Sequence, residues 1–475
     1  MTLAETVDAL ILGIASDTLP PELRQRLGDE AAVWLTECLD REILAAAHRS
    51  RAYATLPTPA GPLPTLLVRV DVKGRERGEA FELASLALRE FVGTSHRKLV
   101  LDWGGTIADE HFDAVVAGGY AGVDGQGLYR SEDDSKLPSN VHLIGGNQAA
   151  IDRGTIVGQC INHTRRLVNA PASEINPVTF AQQAEETARQ SGLEIEVWDE
   201  RRLEQEGCRA ILAVGRASAT PPRLVILRHS GGPAGQAPIA IVGKGVTFDS
   251  GGLSLKPSDA MMDMKCDMAG AATVVGVMRA VAELKLPRNV VGLCGLAENM
   301  IAGDAYRLGD VIETRSGKTI EIHNTDAEGR VVLADTLDVA LQQQPQSIID
   351  LATLTGACLV ALGVETVGMM GNDQTWIDQI LSAAKQEGEW AWQLPMFELF
   401  DEKIKSKVAD IKNVGNGRWG GAITAAKFLE AFVGDVPWCH LDIAGPAFAD
   451  SALPHRDAGA TGVMVRTLIR LLQEQ

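Results

Sequence analysis

Short strand-like runs of four to six residues recur at 194–198, 224–227, 239–242, 290–295 and 347–351, separated by longer stretches with helical spacing. A strand that returns parallel to its neighbour needs a crossover of a dozen or more residues, usually a helix. This alternation restricts the second part of the chain to crossover units around a largely parallel sheet. No internal repeat or low-complexity tract is present, which sets solenoids and tails aside.

Ahead of that region, residues 1–55 read as two or three helices broken at Pro20-Pro21, with Leu35, Cys38 and Leu39 on a shared apolar face. A Pro/Gly-rich break at 57–64 follows, then a strand at 66–72, a helix at 79–92 and a strand at 98–102. The glycines of 118–127 do not spell GxGxxG and read as turns. With 475 residues the chain exceeds one ordinary core. The expected organisation is a smaller N-terminal α/β domain over 1–150, serving assembly or regulation, and a connecting helix over 151–169 stopped at Asn169-Ala170-Pro171. A larger catalytic α/β domain over 170–475 then carries a central, mostly parallel sheet.

Charge narrows the partners. With 62 acidic against 44 basic residues the net charge is −18, a field that repels nucleic-acid backbones and anionic membranes. The basic residues near 24–26 and 75–77 are interleaved with acids and read as a solvated face. Seven scattered cysteines without a CxxC pair suit a reducing compartment. The apolar stretch 9–15 is preceded by Glu5 and Asp8 where a secretory signal carries Lys or Arg, and no apolar run approaches the roughly 20 residues of a membrane helix. A cytoplasmic protein with no membrane partner is expected.

Three segments concentrate chemistry. The first, Gly243 to Lys256, follows the apolar run 239–242, so Lys244 and Asp249 stand at a strand end, where open α/β sheets bind ligands. The second, Met262 to Ala272, places Asp267 near the start of a helix that runs towards Ala282. There a lone acid serves as a cap worth ~0.3–1 kcal/mol. In the third, Asn324-Thr325-Asp326-Ala327-Glu328-Gly329-Arg330, an extended backbone would put Asp326, Glu328 and Arg330 on one face. Asp249, Asp267, Asp326 and Glu328 together need neutralising. Spacing alone leaves two readings open: an ion-pair network with Lys244, Lys256, Lys265 and Arg330, or a pair of divalent cations bridged by carboxylates.

Other chemistries lack their residues. None of the nine histidines forms HxxxH or HxH, no serine sits in GxSxG, and Gly243-Lys244-Gly245 lacks the rest of a phosphate loop. His323 reads as a packing or hydrogen-bonding residue rather than a ligand, and Cys266, without a base, as inert.

These segments resemble the cytosolic leucine aminopeptidases, dimetal and hexameric exopeptidases. The likeness is carried by NTDAEGR (324–330), GKGVTFDSGG (243–252), 264–272, DLATLTGAC (350–358), GGAITAA (420–426) and HLDIAG (440–445), and covers roughly residues 160–475. It implies that Lys244, Asp249, Asp267 and Glu328 hold one metal and Asp249, Asp326 and Glu328 the other. The metals implied are Mn2+ or Zn2+, with Mg2+ or Co2+ admissible. It further implies that Lys256 polarises the substrate carbonyl, that Arg330 anchors a bicarbonate acting as general base, and that Met264, Asn324, Ala327, Thr353, Gly356 and Ala444 form the side-chain pocket. The expected activity is hydrolysis of an N-terminal Leu or other apolar residue from peptides by a homohexamer. The alternatives are a dimetal phosphoesterase, or a regulatory DNA-binding protein with residual peptidase activity. Leu308 departs from the proline usual in the family, and residues 1–150 match it loosely.

Overall fold

The computed structural model describes residues 7–70, 76–103, 105–131 and 137–474. Glu5, Arg75 and the end of the strand expected at 66–72 lie outside them. The chain divides into two compact units, Met1–Gln159 with Ser451–Asp457, and Cys160–Asp450 with Ala458–Gln475.

The first unit contains β1 (Ala9–Ile14), α1 (Pro21–Leu27), α2 (Asp29–Asp40), β2 (Arg51–Leu56), β3 (Leu63–Arg69), α3 (Arg77–Arg89), β4 (Lys98–Asp102), α4 (Phe112–Val123) and β5 (Asn140–Ile144). Its sheet runs β2-β3-β1-β4-β5. Two expectations are corrected here. Residues 9–14 are not helical but the central strand, buried at every position. A strand covered on both faces is a continuous apolar run, which periodicity cannot tell from a buried helix. Nor do the glycines from 118 onward begin as turns, because α4 runs through them. A Cβ on Gly118 would lie 2.1 Å from the Phe81 carbonyl oxygen and one on Gly122 2.3 Å from that of Ser85. These glycines let α3 and α4 touch backbone to backbone. Arg24 and Arg26 are exposed, as expected of a solvated face, while Arg26 also reaches the buried Asp102 at 2.9 Å and Arg77 reaches Asp113 at 2.9 Å.

Helix α5 (Gln148–Asn169) contains the division between the units. In the second unit follow α6 (Pro177–Ser191), β6 (Glu194–Trp198), α7 (Glu200–Gln205), α8 (Arg209–Gly215), β7 (Arg223–Ser230), β8 (Ile239–Asp249), α9 (Ser258–Met261), α10 (Ala269–Glu283) and β9 (Asn289–Asn299). Next come β10 (Val311–Glu313), β11 (Thr319–Glu321), α11 (Glu328–Gln342), β12 (Ser347–Ala352), α12 (Gly356–Leu362), β13 (Val367–Gly371), α13 (Gln374–Glu387) and β14 (Ala391–Gln393). The last are α14 (Asp401–Ile404), β15 (Ile411–Lys412), α15 (Gly421–Glu430), β16 (Trp438–Asp442), β17 (Phe448–Ala449), β18 (Gly459–Ala460) and α16 (Val465–Glu474).

The large sheet has the order β14-β13-β16-β12-β8-β9-β7-β6. Its centre, β16-β12-β8-β9, is parallel, and antiparallel ladders join β13 to β16, β7 to β9 and β6 to β7. The four central strands therefore end on one edge of the sheet. Strand β8 runs seven residues past the expected end at Val242, and its pairing with β9 shifts register between Val246 and Asp249. The shift is a bulge, which bends a strand and re-aims its side chains. Helix α11 packs Val331, Val332, Leu333 and Leu337, all fully buried, into the core beneath this edge. Burying each such side chain stabilises the fold by ~1.5–3 kcal/mol. Among the described residues no helix is long and apolar enough to cross a membrane.

Candidate metal centre

Six of the eight charged residues singled out in the sequence converge at the carboxyl edge of β8. Lys244 and Asp249 belong to β8 itself, not to a loop beyond it. Asp267 lies in a short 3-10 turn, Met264–Met268, that leads into α10. Lys256 lies between β8 and α9, Asp326 precedes α11, and Glu328 is its first residue. The extended stretch expected at 324–330 is thus corrected: a loop delivers Asp326 and a helix start delivers Glu328. Their carboxylates still meet, since Asp249, Asp326 and Glu328 each offer an oxygen within 4.8 Å of the others.

The two lysines divide the acids between them. Lys244 Nζ lies 2.7 Å from Asp267 Oδ1 and 2.9 Å from Glu328 Oε1, and donates to the Thr353 carbonyl oxygen at 2.9 Å. Lys256 Nζ lies 2.9 Å from Asp249 Oδ2 and 2.6 Å from Asp326 Oδ1. The other two cations of the ion-pair reading are elsewhere. Lys265 donates to the Asn169 carbonyl oxygen at 2.9 Å and sits over the Phe448 ring, while Arg330 Nη1 donates to the Asn413 carbonyl oxygen at 2.8 Å. Four carboxylates therefore face two ammonium groups.

That imbalance is buried. Asp249, Asp267 and Glu328 are 2%, 4% and 2% exposed, and Asp267 Oδ2 and Glu328 Oε2 have no hydrogen-bond partner. Unit charges ~4 Å apart interact by ~4 kcal/mol at the screening typical of protein sites. An excess of two negative charges here is a cost that a pair of hard cations removes, and the orphaned oxygens are the donors such cations take. The ionisation behaviour follows. Burial, then Glu328, pushes Asp249 up to about 7 against the pull of Lys256 and Lys244. Burial raises Asp267 and Asp326 as well, whereas in Glu328 burial is outweighed by Lys244 and Lys256 together with a backbone amide, and its carboxyl is lowered. In Lys244 burial favours proton loss, but Asp267, Glu328 and Asp249 outweigh it and the amine holds its proton more tightly than an ordinary lysine. Lys256 is raised in the same way by Asp249 and Asp326. Burial brings Arg330 down to about 10, and its Nε–H is unpaired.

The frame around these groups contains residues that the sequence did not single out. Asn299, at the end of β9 and fully buried, donates to Asp249 Oδ1 at 2.7 Å and to the Thr325 carbonyl oxygen at 3.0 Å. Its position at the carboxyl end of a central strand was the available signal. Asn413, just past β15, accepts from the His323 and Asn324 amides and donates to the Asn324 carbonyl oxygen, which fastens the loop ahead of α11. No sequence signal marks it. Gly329 leaves room for Lys244, because a Cβ there would lie 2.4 Å from its Cε and 2.6 Å from its Nζ.

The expected pocket residues occupy the same edge of the sheet by different routes. Thr353 Oγ1 donates to Asp267 Oδ1 at 2.7 Å, and Asn324 Oδ1 accepts from the Asp326 amide at 2.9 Å. Ala327 caps α11 and Met264 opens the turn that ends beside Asp267. Ala444 donates its amide to the buried Asp442, which also takes the Thr355 hydroxyl, and exposed Gly356 begins α12 next to Thr355. His323 pairs with Glu321 at 2.9 Å, and burial pushes the Cys266 thiol up to about 12.

Comparison with known proteins agrees with this geometry. Residues 162–469 match the catalytic domain of the cytosol aminopeptidase family. The probable cytosol aminopeptidase of Rhodopirellula baltica is 65% identical over 84% of this chain and 78% of its own. That of Micrococcus luteus is 42% identical over 98% of this chain and 96% of its own, so the likeness extends into the first 150 residues, further than expected. Among solved structures, the bottromycin maturation enzyme BotP in complex with Mn superposes with a TM-score of 0.85 at 34% identity, covering 99% of both chains.

Proposed function

The chain belongs to the cytosol aminopeptidase family and is a metal-dependent aminopeptidase, and from that premise we propose how its residues divide the work. Lys244, Asp249, Asp267 and Glu328 would hold one divalent ion, and Asp249, Asp326 and Glu328 a second. The observation that carries this is the buried excess of carboxylates over ammonium groups, with Asp267 Oδ2 and Glu328 Oε2 unpartnered. Oxygen ligands suit Mn2+ or Mg2+, and the amine of Lys244 admits Zn2+ or Co2+. Mn2+ or Zn2+ is the ion proposed, in keeping with the Mn in BotP. When bound, the ions supply the Lewis acidity that lets water lose a proton near neutral pH.

The chain's own groups do the rest. Lys244 can coordinate only as the neutral amine, so it must surrender the proton now shared with Asp267 and Glu328. Asp267, held by Thr353 and Lys244, would steer the free amino terminus of the peptide. Lys256 keeps its proton and would donate to the scissile carbonyl oxygen, stabilising the negative charge that forms on attack. Arg330 would hold a bicarbonate as general base. Its unpaired, buried Nε–H fits an anion, and a guanidinium matches a planar two-oxygen partner. Met264, Asn324, Ala327, Thr353, Gly356 and Ala444 would line a mostly apolar pocket for Leu or a similar N-terminal side chain. The enzyme would act as a cytoplasmic homohexamer.

The test is hydrolysis of a leucine anilide against a phosphoester, after chelation and after adding Mn2+. Anilide cleavage that returns with Mn2+, without phosphoester turnover, is the expected result; phosphoester turnover alone refutes the assignment. Sizing chromatography checks the assembly, and a monomer overturns it.

A further inference from the structure

We propose that Asn299 is a positioning residue that fixes which oxygen of Asp249 faces the metal centre. The inference rests on the two-metal reading above. Asp249 is the ligand offered to both ions, and its two oxygens are not equivalent. Oδ1 accepts from Asn299 Nδ2 at 2.7 Å and from the Gly251 amide at 2.8 Å, whereas Oδ2 faces Lys256 at 2.9 Å. With two donors on Oδ1, Oδ2 is the oxygen that Asp249 would offer to metal.

The orientation of the Asn299 amide is dictated by its neighbours. Both groups within reach, Asp249 Oδ1 and the Thr325 carbonyl oxygen, are acceptors, so the nitrogen must point at them. Rotating the amide would set its oxygen against both. Its own Oδ1 has no partner although the residue is fully buried. An unsatisfied buried acceptor is unfavourable, and what the position gains in exchange is the two donors. Backbone pairing fixes the base of the side chain, because Asn299 stands opposite Asp249 in the β8–β9 ladder beyond the bulge. The Thr325 carbonyl oxygen has a second donor, the Tyr306 hydroxyl at 2.8 Å. The loop carrying Asp326 is thus held from two sides, whereas among the described residues Asn299 is the one neutral side chain that donates to Asp249.

The difference gives the control. Full-length protein is stripped of metal and titrated with Mn2+, following free Mn2+ and the exchange-coupled signal of the bound pair by electron paramagnetic resonance, with a melting curve for each variant. The unsubstituted protein is expected to bind two Mn2+. Asn299→Ala and Asn299→Leu should each lose about 10- to 100-fold in affinity, as is usual when the group orienting a ligand is removed, and their coupled signal should change at saturation. Tyr306→Phe should bind like the unsubstituted protein. If Asn299→Ala fails to fold, the nearly isosteric Asn299→Leu decides. Unchanged affinity and coupling in the Asn299 variants overturn the proposal, as does an equal loss in Tyr306→Phe, which would reduce Asn299 to a loop anchor. Failure of the unsubstituted protein to bind two Mn2+ refutes the two-metal reading instead.

Discussion

Replacing Gly329 by alanine sets two effects of opposite sign against each other. Gly329 is the second residue of α11 and is helical, so alanine should stabilise the helix by ~1 kcal/mol. The added Cβ, however, would lie 2.4 Å from Lys244 Cε and 2.6 Å from Cδ and Nζ. Carbon atoms in contact sit ~3.5–4 Å apart, so the end of Lys244 must move by about 1 Å. It has nowhere to go without breaking its contacts with Asp267, Glu328 and the Thr353 carbonyl oxygen. Breaking a buried pair costs ~3–5 kcal/mol, which leaves a net loss of about 2–4 kcal/mol for the metal-free protein. Chemical denaturation of Gly329→Ala should show that loss, and Mn2+ titration should show one ion bound in place of two. A double-mutant cycle isolates the cause: in a Lys244→Ala background, Gly329→Ala should be neutral or stabilising by up to ~1 kcal/mol. A stabilised single variant that still binds both ions would refute the claim that this glycine exists to accommodate Lys244.

Three further outcomes are expected. Lys256→Ala should bind metal yet lose about 10²–10³-fold in kcat, the usual effect of removing an oxyanion donor; unchanged turnover, measured with leucine anilide, removes Lys256 from the chemistry. Asp249 and Asp335 are both pushed up to about 7, chiefly by burial. The folded metal-free protein therefore keeps protons that the unfolded chain releases near pH 4, so its stability should fall as pH rises from about 4 to about 7 and then level off. Denaturation across that range checks the sign, and Mn2+, which displaces protons, should bind more weakly as pH falls through 7. Asp335→Ala strips three amides, the buried ones of Ala210 and Ile211 and the half-buried one of Arg315, of their shared acceptor. At ~1–3 kcal/mol for each unsatisfied group, a loss of at least ~3 kcal/mol in urea denaturation is expected without a change in metal content.

The acids of the site were legible because each follows an apolar run or opens a helix, and strand ends in α/β sheets meet at one edge. The partition of the cations was not. Lys265 and Arg330 lie next to Asp267 and Glu328 in sequence, yet the turn before α10 and the first turn of α11 send them to Asn169 and Asn413. Side-chain direction on a helix start differs from that on an extended strand, and reading 324–330 as extended hid the difference. Asn413 escaped because a lone amide carries no pattern, and Asn299 because its one signal, a place at the end of a central strand, does not say what it touches. Their roles arise only when distant segments are brought together, β9 against the 325 loop and β15 against the start of α11. In the first unit, β1 was misread because complete burial erases alternation, and the second half of α4 because its glycines answer to α3 and not to a turn.

The bulge in β8 works as a phase shifter. Lys244 and Asp249 are five residues apart, an odd number that would send their side chains to opposite faces of a regular strand. One extra residue on β8 lets Asp249 pair with Asn299, four residues beyond the Gly295 that pairs with Lys244, so the two ligands return to the same face. The count of residues between them therefore matters more than their identity. On a ladder without the bulge, the same five-residue spacing would turn Asp249 away, even though every side chain of the metal centre would still be encoded.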